Sequence, residues 1–114
     1  VTGFTIDITA EFSTSKILCF GHISGMGTSN TRALYRLLRT VSGGSDVIIA
    51  TPGNATGYQY TGDGKRIEHP HFVLDNPNTT SSVQYRHRVD HGNGSMNTTW
   101  NYSHAAMVLM EIAQ

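Results

Sequence analysis

The 114-residue chain carries little charge: eight Lys and Arg against eight Asp and Glu, 14% of all residues, for a formal net charge of zero. Without a basic excess there is no field to gather nucleic acid or an anionic membrane surface. The same neutrality removes the repulsion that keeps copies apart, and so favours self-association. A single cysteine, Cys19, excludes an internal disulfide framework. It lies in the apolar run KILCFGHI, where the role of a small buried hydrophobe fits. No apolar run approaches the ~18 residues of a membrane-spanning helix, and no stretch reads as a signal peptide. The first residue is Val1 rather than Met, so residues 1–114 are expected to form a single domain, the C-terminal piece of a longer chain.

What the chain does have is Thr, Ser, Gly and Asn, at 14, 10, 12 and 7 residues. Many turn formers and β-branched residues with few charges predict an all-β domain of short strands. GFTIDITAEFS alternates, with Phe4, Ile6, Ile8, Ala10 and Phe12 on one face, which predicts a half-buried strand. SKILCFGHIS is apolar on both faces, as expected of a strand inside a sandwich. TRALYRLLRT fits either helical or strand spacing and is assigned to a strand because its neighbours are strands. SDVIIATP and PHFVLDNP read as strands stopped by proline. GNATGYQYTGDGKR is either a long loop or a hairpin across GDG. SSVQYRHRVDHGNGSMNTTWNY reads as a hairpin, with Val83, Tyr85, His87 and Val89 on one face and GNG in the turn. The last ten residues, AAMVLMEIAQ, hold only Glu111 and Gln114 as polar side chains. A two-sided apolar strand of this kind is expected in the interior of a sheet, with one face on the core and the other on a neighbouring copy. On that reading Met110→Lys abolishes folding or assembly, because an unpaired charge is buried. The sum is an antiparallel, jelly-roll-like β-sandwich of about eight or nine strands.

Six histidines raise the question of a metal. His69 and His71 fall on the same side of an extended HPH segment, and three copies would bring six imidazoles to a three-fold axis. No cysteine or carboxylate cluster completes a site within one chain, so neither metal nor cofactor is assigned. In RHRVDH the neighbouring groups point to opposite faces, no serine sits in a nucleophile elbow, and Glu68 and Glu111 lack a nearby carboxylate. No catalytic residue is assigned, and the chain is read as non-enzymatic. The aromatic residues in polar, glycine-rich segments are the better candidates for binding. Tyr58 and Tyr60 in GYQYTG, and Trp100 and Tyr102 in TTWNYS, can stack on sugar faces while nearby amides and hydroxyls bond sugar oxygens. Asn54, Asn78, Asn93, Asn97 and Asn101 form glycosylation sequons, but three of them crowd into nine residues, and an Asn/Thr-rich turn composition accounts for them more simply.

Three segments carry a resemblance: FSTSKILCFGHISG, HFVLDNPNTTSSVQYRHRV and AAMVLMEIAQ. Together they resemble the β-sandwich domains that end tail-fibre and other tail-associated proteins of tailed bacteriophages, including marine podoviruses. The similarity is best at Ser13 to Phe20, Leu74 to Tyr85 and Met107 to Ala113, and it concerns scaffold strands and turns. The two-histidine segment before Phe72 and the NATGYQYTGDGK insertion depart from the pattern, and such loops are where specificity resides. The resemblance implies a virion structural protein, extracellular on the phage tail. It further implies a homotrimer that meets a bacterial cell-surface polysaccharide or outer-membrane protein and other virion proteins, with no nucleic acid and no membrane insertion. Two alternatives stay open: a capsid-decoration or trimerisation module without a host ligand, and a trimeric ligand of the tumour-necrosis-factor or complement-globular kind.

Overall fold

The computed structural model describes residues 5–27, 31–50, 58–61, 66–91 and 100–114. These form eight strands and no helix: β1 Thr5–Thr9, β2 Lys16–Gly27, β3 Thr31–Val41, β4 Asp46–Ala50, β5 Tyr58–Thr61, β6 Arg66–Asp75, β7 Ser82–His91 and β8 Trp100–Ile112. One sheet runs β1-β7-β3-β4, with β5 also on β3; the other runs β6-β2-β8, and every pairing is antiparallel. The two sheets face each other as a β-sandwich.

The alternating segments bury the side chains that their pattern assigns to the core. From the larger sheet come Ile6 and Ile8 of β1, Leu37 and Val41 of β3, and Val83 and Tyr85 of β7. From the smaller sheet come Ile17 and Cys19 of β2, Val73 of β6, and Met107 and Leu109 of β8. TRALYRLLRT is a strand, and SKILCFGHIS is the central strand of its sheet. Gly21 is fixed there by space: a Cβ would stand 2.0 Å from the Ala106 carbonyl oxygen of β8. Gly43, at φ +73°, makes the tight β3–β4 turn, in which the Gly44 amide donates to the Val41 carbonyl.

A polar pin crosses the core. Asp75, at the end of β6, is buried; its Oδ1 accepts from Arg39 Nη1 of β3 at 2.7 Å and its Oδ2 from the Tyr85 hydroxyl of β7 at 2.7 Å. Two strands of one sheet thus hold one carboxylate of the other. A second tie closes the chain end: Glu111 Oε1 of β8 accepts from the amides of Glu11 and Phe12 at 2.8 and 3.3 Å. The nearby Ser15 hydroxyl and these two amides hold the Glu111 carboxyl below its ordinary value. Phe12 leaves the alternation of its segment, because β1 stops at Thr9 and the chain turns there, with the Ser15 amide bonded to the Phe12 carbonyl.

Two expectations are corrected, and one open alternative is narrowed. The last segment is not an interior strand: β8 pairs with β2 alone among the described residues and forms an edge. Apolar residues on both faces report what covers the faces, not whether a strand lies on each side. Nor do β7 and β8 form a hairpin, since they belong to different sheets, and β5 pairs with β3 rather than with β6. Turn residues favour a reversal, but the sheet that receives the next strand is decided by which face must be buried.

The two outer faces differ in kind. Thr5, Asp7, Thr9, Gln84, Arg86, Arg88, Arg36 and Thr40 follow one another across the larger sheet, and Arg86 pairs with Asp46. Leu38 lies on this face between Arg86 and Ile48 in register, and is covered. The smaller sheet presents two apolar rows instead, Leu74–Leu18–Met110 and Phe72–Phe20–Val108. Phe72 is 74% exposed, Leu74 52%, Met110 48% and Val108 46%.

The pin yields a stability prediction. Tyr85→Phe leaves one buried carboxylate oxygen without its donor and should cost about 1–3 kcal/mol. Asp75→Ala strands both Arg39 and the phenol and should cost about 3–5 kcal/mol. Urea denaturation of the two variants measures both losses; values within error of wild type would show that the pin does not hold the sheets.

Candidate recognition end

The long strands β2, β3, β6, β7 and β8, of 10–13 residues, pair antiparallel and join the two poles of the molecule, whereas β1 and β4 lie toward one pole and β5 toward the other. At one pole lie the end of β1, the β3–β4 turn, the β6–β7 connection and the end of β8. This pole is tied: the Asp75 pin and the Glu111 latch are here, and the Ser42 amide donates to the Ser82 carbonyl at 2.9 Å. In the β6–β7 connection, the Ser81 amide donates to Thr79 Oγ1 at 3.0 Å and Asn78 takes φ +54°, a conformation that asparagine tolerates.

The opposite pole is where β2 ends and β3 begins, where β5 ends and β6 begins, and where β7 ends and β8 begins. The four aromatic candidates all belong to it. Tyr58 and Tyr60 pair with Leu34 and Arg32 at the start of β3. Trp100 and Tyr102 pair with Gly27 and Gly25 at the end of β2. Two come from each sheet, and their backbones are strands rather than the loops that the sequence suggests. The β2–β8 register shifts between Ser24 and Gly25, and such a bulge bends the strand and re-aims the residues beyond it. The sequence signal for these residues was composition. Their convergence at one pole comes from antiparallel register, which no local pattern reports.

The other candidate chemistries resolve as structure. His71 of β6 turns into the sandwich and meets His87 of β7 across the sheets, ring centroids 4.3 Å apart and edge to face. It therefore faces away from the outer surface of its sheet, where a three-fold axis metal would need it. Among the described residues no three His, Cys, Asp or Glu form a metal-holding group. Asn54, Asn93 and Asn97 lie outside the described residues. The Glu111 carboxylate, unpartnered in the sequence reading, is engaged by backbone amides. A shallow polar recess of about 270 Å³ opens beside Asp7, Thr40, Ser42, Ser82 and Gln84 at the tied pole, smaller than the ~300–1,000 Å³ of ligand pockets.

Cys19 is not a nucleophile. It is buried, its thiol donates weakly to the Ile17 carbonyl at 3.9 Å, and burial, with the Asp75 charge second, pushes its pKa up from 9.0 to about 12. Burial also raises the Tyr85 phenol, with the hydrogen bond to Asp75 adding to it. Both groups hold their protons in the folded and unfolded states alike below pH 9.0 and 10.0 respectively, so their contribution is intact there. Above those values the unfolded chain releases protons that the folded one retains, and stability falls as pH rises. Two results are expected: no reaction of Cys19 with an aromatic disulfide reagent at pH 8 until denaturant is added, and a denaturation midpoint that declines from about pH 9 upward. Prompt labelling of the native protein would contradict the burial.

No known protein family, curated protein or solved structure matches the chain.

Proposed function

We propose that this chain is a non-catalytic recognition domain of a tailed-phage tail fibre or tail tip. It works as a homotrimer on the virion, outside the cell, and binds a bacterial cell-surface polysaccharide or outer-membrane protein. One observation carries this reading: Tyr58, Tyr60, Trp100 and Tyr102, drawn from both sheets, share one pole, while the polar ties among the described residues lie at the other. A domain anchored at one end and aromatic at the other suits presentation of a contact surface. Aromatic rings offer large, rigid area for a sugar face at little entropic cost. Three such sites on one particle gain avidity, so each can be weak.

A second reading has its own support. The apolar outer face of the smaller sheet serves assembly and requires no host ligand, as in a capsid-decoration or trimerisation module. Binding of labelled domain to susceptible bacteria separates the two. For the recognition domain, the double variants Tyr58→Ala/Tyr60→Ala and Trp100→Ala/Tyr102→Ala should each weaken cell binding by roughly tenfold or more, at unchanged circular dichroism and mass. Wild-type protein that binds no cells and does not compete with infection would leave the assembly module.

A further inference from the structure

We infer that the outer face of the β6-β2-β8 sheet is the surface on which copies of this chain assemble, three sheets lining a common axis. The inference deepens the proposed trimer by naming its interface, and it does not depend on what the aromatic pole binds.

The face is a continuous strip of side chains in register. Leu74, Leu18 and Met110 form one row and Phe72, Phe20 and Val108 the next, with Pro70, His22 and Ala106 beyond them. Phe20 and Phe72 lie beside each other at its centre, ring centroids 6.5 Å apart. Lys16 stands at one rim of the strip opposite Ile112, and the register places Glu68 opposite Ser24 and Arg66 opposite Met26 toward the other end of the sheet. The middle of the strip is uncharged, and a second copy brings the same surface with no net repulsion between neutral chains. The outer face of the larger sheet is mostly polar and arginine-bearing, with Ile48 exposed near its edge, so the continuous apolar rows belong to the smaller sheet.

Area and width select the number of copies. The four exposed apolar side chains contribute roughly 400 Å², about half of the ~800 Å² per partner in a stable interface. Two sheets stacked face to face would bury that strip and little else. Three strands at ~4.8 Å spacing make a sheet about 14 Å wide, and three such sheets form a triangular prism whose walls stand about 4 Å from its axis. Stacked sheets sit ~10 Å apart, so side chains of this size fill about 5 Å from each wall. The prism is thus filled by Leu, Phe, Val and Met without a channel. At its corners β8 of one copy meets β6 of the next, which adds area and covers the edge of the longest strand. Among the described residues that edge has no strand partner, and an apolar, unprotected edge otherwise invites uncontrolled pairing.

Sedimentation equilibrium of the 114-residue chain at micromolar concentration should give three times the 12.4 kDa protomer mass. Phe72→Asp should give a folded monomer, with native circular dichroism and a cooperative urea transition; Met110→Lys, whose side chain is on the same face, should do likewise and is the second variant should the first not fold. Gln84→Glu, on the polar outer face of the other sheet, should remain trimeric. A wild-type monomer or dimer, a trimer that survives both charged substitutions, or dissociation by Gln84→Glu as well, would each overturn the inference. Failure of the recognition reading looks different: a wild-type trimer of the expected interface that binds no cells.

Discussion

The contact on which this structure most depends is a carboxylate held between sheets. Asp75 is buried and ionisable, and a buried charge without partners would oppose folding by several kcal/mol. It is tolerable only because Arg39 and Tyr85 reach it from β3 and β7, each at 2.7 Å. That requirement sets more than local geometry. β3 and β7 must be neighbours in register, as they are through Arg39 and Tyr85 themselves, and β6 must lie across from them at one depth. Apolar packing alone would allow the two sheets to slide by a residue pair at modest cost. Two directional bonds to one carboxylate do not.

The fold class was legible in the sequence because period-two alternation is a direct consequence of strand geometry. Ile6 and Ile8, Val83 and Tyr85, and the two-sided run around Cys19 all lie where their pattern puts them. Connectivity was not legible. The GNG of residues 92–94 advertises a reversal, yet β7 and β8 lie in opposite sheets, because turn chemistry acts over four residues and sheet membership is a global matter of burial. The edge position of β8 escaped for a related reason: β2 and β8 carry the same two-sided apolar signature, and among the described residues only β2 has a strand on both sides. For the candidate site, residue type was informative and location was not. Tyr58, Tyr60, Trp100 and Tyr102 were recognisable by their polar, glycine-rich surroundings, but their common pole emerges only from the pairing with β3 and β2.

The histidine pair marks another limit of local reading. An HPH segment says that two imidazoles share a side; it does not say which side. His71 turns inward to His87, next to the glycine at position 21 on the neighbouring strand, and a residue type associated with metal binding serves instead to fill the space between sheets. The apolar strip outside the same sheet carries the opposite message. There, hydrophobic residues that would ordinarily be core are left facing outward, and the sandwich is complete without them.

The Ala106 carbonyl oxygen, 2.0 Å from where a Cβ on Gly21 would stand, has a consequence for how this chain can diverge. Most positions in a β-domain drift through small changes of volume, each absorbed by a neighbour's rotamer. Backbone has no rotamer to offer. Descendants of this sequence must therefore either retain hydrogen as the side chain at position 21 or displace β8 as a whole, moving the outward-facing rows with it. A single atom of clearance thus couples the ancestry of the central strand to the shape of the surface beside it.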